Sequence, residues 1–96
     1  MRLVWSENAI ADLLSIHRYI AGRNPAAAQK AMRVISAAAL QLEQFPELGR
    51  PASESGSRLL QVPRLPYLLP YRIMNDGVIE ILAVFDERME RPKAWL

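Results

Sequence analysis

Two kinds of patterning, in different halves of this 96-residue chain, predict an α+β fold. Residues 6–45 carry apolar side chains at helical spacing in two runs, and residues 58–85 carry three short runs that alternate like strands. A segment rich in Pro, Gly, Ser and Glu, residues 46–57, separates the halves and reads as a surface loop. The expected architecture is a single domain: an N-terminal strand, an antiparallel helix hairpin, then a three-stranded antiparallel meander, with a charged tail over 86–96.

Met1 to Trp5 is short, alternating and rich in strand formers, and it is expected to join the antiparallel sheet. Ser6 is a natural N-cap for the first helix, with Trp5 and Ile10 placed as a hydrophobic staple. Ile10, Leu13, Leu14, His17 and Ile20 then define its apolar face. Gly22 is positioned to end it in the left-handed conformation. Asn24-Pro25 restarts the chain as N-cap and first helical residue, because proline lacks only an N–H that would be unpaired there. The second helix is expected from Pro25 to about Phe45, with Ala28, Met32, Ile35, Ala39 and Leu42 as its packing seam and Pro46 as its stop.

In the second half, strands are expected over Arg58–Val62, Tyr67–Met74 and Val78–Phe85. Pro63 to Pro66 makes the first turn, and Asn75-Asp76-Gly77 is a strong hairpin signal because these residues tolerate positive φ. Ile79, Ile81, Ala83 and Phe85 share one face of the third strand. Pro70 cannot donate to a ladder, so it marks an edge or a bulge.

Composition narrows the function. Ten of the twelve basic residues are arginine, and the pI is near 9.4 although the net charge is only +2. Between Arg50 and Arg72 four arginines face a single acid, Glu54. Arginine offers a planar fork matched to carboxylate and phosphate, so this distribution points to a polyanionic or protein partner. With no cysteine there is no disulfide framework, thiolate metal site or thiol nucleophile, which fits a cytosolic protein. No apolar run approaches the roughly 20 residues that cross a bilayer, and the N-terminus does not read as a signal peptide.

Catalytic signatures are thin. His17 is the one histidine and lies on the apolar stripe of the first helix, without a thiol to act on. Gly49 and Gly56 are isolated, so no phosphate-binding loop is present, and neither a metal nor a cofactor is expected. The arginines remain. A bridge to Glu80 across the hairpin is expected for Arg72, and Arg88 and Arg91 flank Asp86, Glu87 and Glu90. Arg58 and Arg64 have no local acid and are the better candidates for an external anion. Tyr67 and Tyr71 are expected in the core, and Trp95 in the tail either folds back or meets a partner.

The ordered set of Gly49-Arg50, Gly56-Ser57-Arg58-x-Leu60, Tyr67-x-x-x-Tyr71-Arg72-Ile73 and Ile79-x-Ile81-x-x-Val84 resembles the ParE/RelE toxins of bacterial toxin–antitoxin modules. The segment from Trp5 to Tyr19, with Ala9, Asp12, Leu13 and Ile16, is similar to that family's first helix. The resemblance implies two helices packed on an antiparallel sheet and a cognate antitoxin as partner in a hetero-oligomer. It also implies one of two targets. RelE-like members cut mRNA in the ribosomal A site with a basic set and a C-terminal tyrosine, whereas ParE-like members poison DNA gyrase.

This chain departs from the nuclease pattern. Leu59 and Gln61 stand on the first meander strand where the nuclease carries lysine, and Leu68 stands where it carries an arginine. The tail offers Arg88 and Trp95 but no tyrosine. Metal-free RNA cleavage needs cations for the developing phosphorane and a group to move the proton, and leucine and glutamine supply neither. The ParE branch is therefore expected, with Arg58, Arg64, Arg72, Arg88, Arg91 and Trp95 as candidate contacts to target or antitoxin. A nuclease built from Arg58, Arg72 and Arg88, and a non-toxic relative that only binds an antitoxin, are the alternatives.

Overall fold

The computed structural model describes residues 1–52 and 56–89. The expected α+β class holds: among the described residues two helices lie against a six-stranded sheet. The elements run β1 (Arg2–Trp5), α1 (Glu7–Ala21), α2 (Pro25–Leu40), β2 (Arg50–Pro51), β3 (Arg58–Gln61), β4 (Tyr67–Ile73), β5 (Val78–Ile81) and β6 (Phe85–Asp86). Strand order is β1-β5-β4-β3-β2, with β6 also on β4. The meander β3-β4-β5 is antiparallel as expected, but β1 pairs with β5 in parallel, Leu3 opposite Ile79 and Trp5 opposite Ile81. After the helix hairpin the chain enters the sheet at the far edge, β2, and the meander works back until β5 lies beside β1.

Both caps form as their residue types dictate. Ser6 accepts from the Ala9 amide at 3.0 Å and Asn24 from the Ala27 amide at 3.1 Å, each satisfying a donor of the first turn. Gly22 is not left-handed: at φ −61° it stays helical, and the Arg23 and Asn24 amides both close onto the Ile20 carbonyl. The hairpin is so short that Asn24 begins the next helix before a left-handed residue is needed. Helix α2 stops at Leu40, five residues earlier than expected, and tightens into a 3-10 turn over Gln41–Glu43. Pro46 disfavours helical geometry at Phe45, which shortens the last turn. Its seam is as expected: Ala28, Ile35, Ala39 and Leu42 are fully buried and Met32 packs on them. The N-terminal amine donates to the Glu43 carbonyl at 2.9 Å, tying β1 to this turn.

The sheet core is Leu60, Val62, Tyr67, Leu69, Tyr71, Ile79 and Ile81, met by Ala9, Ile35, Ala38, Ala39 and Leu42 from the helical layer and by Val84. Helix α1 presents a different face from the one its sequence suggests. Ala9, Leu13 and Ile16 point to the core, while Ile10 and Leu14 are 47% and 59% exposed. The rotation has a polar cause. Ser6 Oγ and Asn8 Nδ2 donate to the Leu82 carbonyl at 3.1 and 3.3 Å, and Asp12 Oδ2 accepts from the Val84 amide at 2.9 Å.

That anchorage begins at Pro70, which sits in the middle of β4, fully buried. Leu82 lies opposite it and donates its amide to the Pro70 carbonyl at 2.8 Å. The reciprocal bond of an antiparallel pair needs a Pro70 N–H, and proline has none. The Leu82 carbonyl is left open and takes the Ser6 hydroxyl and Asn8 amide instead. The expected single strand from Val78 to Phe85 is accordingly broken over residues 82–84. Beyond the break the alternation has slipped, so Val84 joins the core and Phe85 pairs with Leu68 on the opposite sheet face. Asp86, expected in the tail, belongs to β6, and residues 50–51 of the expected surface loop form the edge strand β2.

Candidate functional site

Arg58 and Tyr71 lie opposite each other on β3 and β4, and together they clamp the loop that precedes β2. The fully buried Tyr71 hydroxyl donates to the Pro46 carbonyl at 2.8 Å and accepts from the Gly49 amide at 2.8 Å. Burial pushes the Tyr71 phenol above its ordinary value, against the pull of the Gly49 amide and the Arg58 guanidinium. A Cβ on Gly49 would stand 2.6 Å from Tyr71 Cε1 and 2.8 Å from the Leu59 carbonyl, so only glycine lets the loop approach this closely. The Arg58 guanidinium donates to the Gly49 carbonyl and, at 3.3 Å, to that of Glu47. Arg58 is thus half-buried and occupied by backbone carbonyls.

Two other arginines are also engaged. Arg72 meets Glu80 across the hairpin, Nε to Oε1 at 2.9 Å and Nη2 to the same oxygen at 2.8 Å, as the NDG turn leads one to expect. Arg88 forks onto Asp86 at 3.0 and 2.7 Å, and its hydrogen bonds hold the Asp86 carboxyl below the ordinary carboxylate value. Arg91 and Trp95 lie outside the described residues.

Arg58, Arg72 and Arg88 do not converge. Arg58 shares the helix-facing side with Tyr71, whereas Arg72 and Glu80 stand on the other face. Arg88 follows Asp86, which pairs with Tyr67, five residues along β4 from Arg72. At about 3.3 Å per residue that is roughly 17 Å.

Arg64 differs from the rest. It occupies the turn between β3 and β4 with φ at +66°, the left-handed region, at a cost of about 1–2 kcal/mol for a residue with a Cβ. It is exposed and makes no hydrogen bond or ion pair among the described residues. Prolines 63 and 66 remove two donors from the turn, and Gln61 supplies donors in their place. Its amide reaches the Leu65 carbonyl at 3.1 Å and those of Val62 and Tyr67 at 3.4 Å.

Beside this turn lies a groove of about 580 Å³, lined by Ile20 of α1, by Ala27, Lys30, Ala31 and Val34 of α2, and by residues 63–65. The sequence marked Arg64 but gave no sign of Lys30, which is four residues before Val34 on an otherwise alanine-rich helix. Of the three positions set against the nuclease pattern, Leu68 is fully buried, Leu59 nearly so, and Gln61 is held by its turn.

Comparison with known proteins agrees with this architecture. A family model described as the ParE toxin of the type II toxin–antitoxin system parDE matches residues 3–91. The putative toxin Y4kP of Sinorhizobium fredii is 34% identical over 92 residues, covering 96% of this chain and 94% of that protein. Toxin RelE2 of Caulobacter vibrioides is 36% identical over 83 residues, covering 86% and 91%. Among solved structures, the chromosomal ParDE system of P. aeruginosa superposes with a TM-score of 0.79 at 32% identity, over 90% of this chain and 95% of that one. The chain therefore belongs to the ParE family, within the ParE/RelE superfamily of type II toxin–antitoxin toxins.

Proposed function

We propose that this chain is a growth-arresting toxin that acts on DNA gyrase in the cytosol and is held inactive in a hetero-oligomer with a cognate antitoxin. One observation carries the choice of target. Among the described residues no cationic set converges on the sheet: Arg58, Arg72 and Arg88 point to separate places and are each engaged internally, and Leu59, Gln61 and Leu68 stand where the nuclease pattern has cations. Without grouped cations there is nothing to stabilise a phosphorane. A protein-binding surface needs no such set. The likeness to the P. aeruginosa ParDE system supports the antitoxin partner and the ParE branch. The test is expression of the chain alone, with purified protein added to a gyrase supercoiling assay. Filamentation, induction of the DNA-damage response and loss of supercoiling are expected.

The second reading is a ribosome-dependent mRNA endonuclease, and the likeness to RelE2 of Caulobacter vibrioides favours it. Halted translation with cut transcripts, and supercoiling intact, would establish it instead. Normal growth at confirmed expression would overturn both toxic readings.

A further inference from the structure

We propose that the groove between α2 and the turn at residues 63–66 is the seat of an antitoxin segment in which an apolar side chain is flanked by carboxylates. In this arrangement Arg64 and Lys30 are the charge anchors and Gln61 is a positioning residue. The proposal rests on the antitoxin reading above and assigns that partner's place and chemistry.

Three features of the groove support it. Its floor is apolar, formed by Ile20, Ala27, Ala31, Val34 and Leu65, and its two charged lining residues, Lys30 and Arg64, are both cations. Neither cation has a hydrogen-bonding or ionic partner among the described residues, whereas Arg58, Arg72 and Arg88 all have one. An apolar floor under unpaired positive charge is complementary to an acidic, amphipathic segment. The volume also falls in the range of ordinary binding clefts.

The backbone of the turn adds an independent argument. Arg64 holds a left-handed conformation that glycine would adopt without strain, and nothing inside the described fold uses its side chain. The strain is sustained by neighbours: the Gln61 amide gathers the carbonyls of Val62, Leu65 and Tyr67, and the Val62 amide closes on Tyr67 at 3.0 Å. A strained cation held by a dedicated side chain, at the lip of an apolar groove, is built to be read from outside.

The test uses the full chain co-expressed and purified with the protein encoded by the adjoining reading frame, and measures affinity and melting temperature together. Arg64→Gly keeps the backbone and removes the cation. It should leave the melting temperature unchanged or higher while weakening the complex roughly tenfold. Lys30→Glu combined with Arg64→Glu should weaken it about a hundredfold, and Arg18→Glu, on the exposed side of α1, should leave it as it was. Gln61→Ala should weaken the wild-type complex several-fold, on the order of one lost turn contact, yet add nothing in the Arg64→Gly background. Wild-type affinity in both Arg64→Gly and the double reversal would overturn the groove assignment while leaving the antitoxin reading intact. If the wild-type chain binds no such partner, the antitoxin reading itself fails and the groove assignment falls with it.

Discussion

Arg58 and Arg64 look alike in the sequence, two arginines on one meander without an obvious acid partner, and the fold gives them opposite circumstances. Arg58 is drawn into a clamp with Tyr71 and Gly49, where loop carbonyls accept from its guanidinium. Arg64 stands in a strained turn with its guanidinium unclaimed among the described residues. The lesson is that a cation without a local carboxylate is not thereby available. A loop folded against the strand offers carbonyl acceptors that no charge pattern reveals, because every chain segment carries them.

The sharpest way to break this contrast is Gly49→Ala. Its methyl would collide with Tyr71 and with the Leu59 backbone, and overpacking of this kind costs about 1–3 kcal/mol or more. A chemical denaturation midpoint close to wild type would show that the clamp is not rigid. Tyr71→Phe comes next, since it leaves the buried Gly49 amide and the Pro46 carbonyl without a partner, a loss of about 1–3 kcal/mol. Its hydrogen-exchange signature should be confined to residues 46–49 and their neighbours.

Substituting the two arginines tests the comparison directly. Arg58→Ala should destabilise by about 1 kcal/mol through its carbonyl bonds, whereas Arg64→Gly should be neutral or mildly stabilising. Equal melting temperatures for the two variants would erase the distinction. Smallest is Arg88→Ala. The pair with Asp86 is at the surface, where solvent screens it, so its contribution at neutral pH is slight. The folded Asp86 carboxyl titrates below its ordinary value of 3.8, so this contribution is present above that pH and fades as the pH falls through the folded value. Wild type and Arg88→Ala should therefore converge in stability in acid.

A separate cycle probes the proline break. Ser6→Ala should cost about 1–2 kcal/mol, because it removes both a helix cap and a bond to Leu82. In a Pro70→Ala background the loss should be smaller, since residue 70 then has an N–H to offer the Leu82 carbonyl. Additive losses would mean that Pro70 does not create the anchorage.

Much of this was legible in the chain. The two caps, the α2 seam, the NDG hairpin and the Arg72–Glu80 bridge all depend on residues a few positions apart, or on a two-residue strand period, so sequence spacing specifies them. Gly49, Arg58 and Tyr71 also stand in the longer ordered series that carries the family resemblance. The sequence did not disclose that they touch.

What spacing alone determined is the α+β order and the antiparallel meander. Tertiary structure decided the rest. The rotation of α1, the parallel seat of β1, the break at residues 82–84 and the groove under Arg64 each depend on groups distant in sequence. Pro70 shows the reason most plainly. Its missing N–H is a local fact, but its consequence falls on a carbonyl twelve residues later and on a hydroxyl sixty-four residues earlier. Hydrogen bonds left open by one segment are closed by whichever segment the fold brings to them.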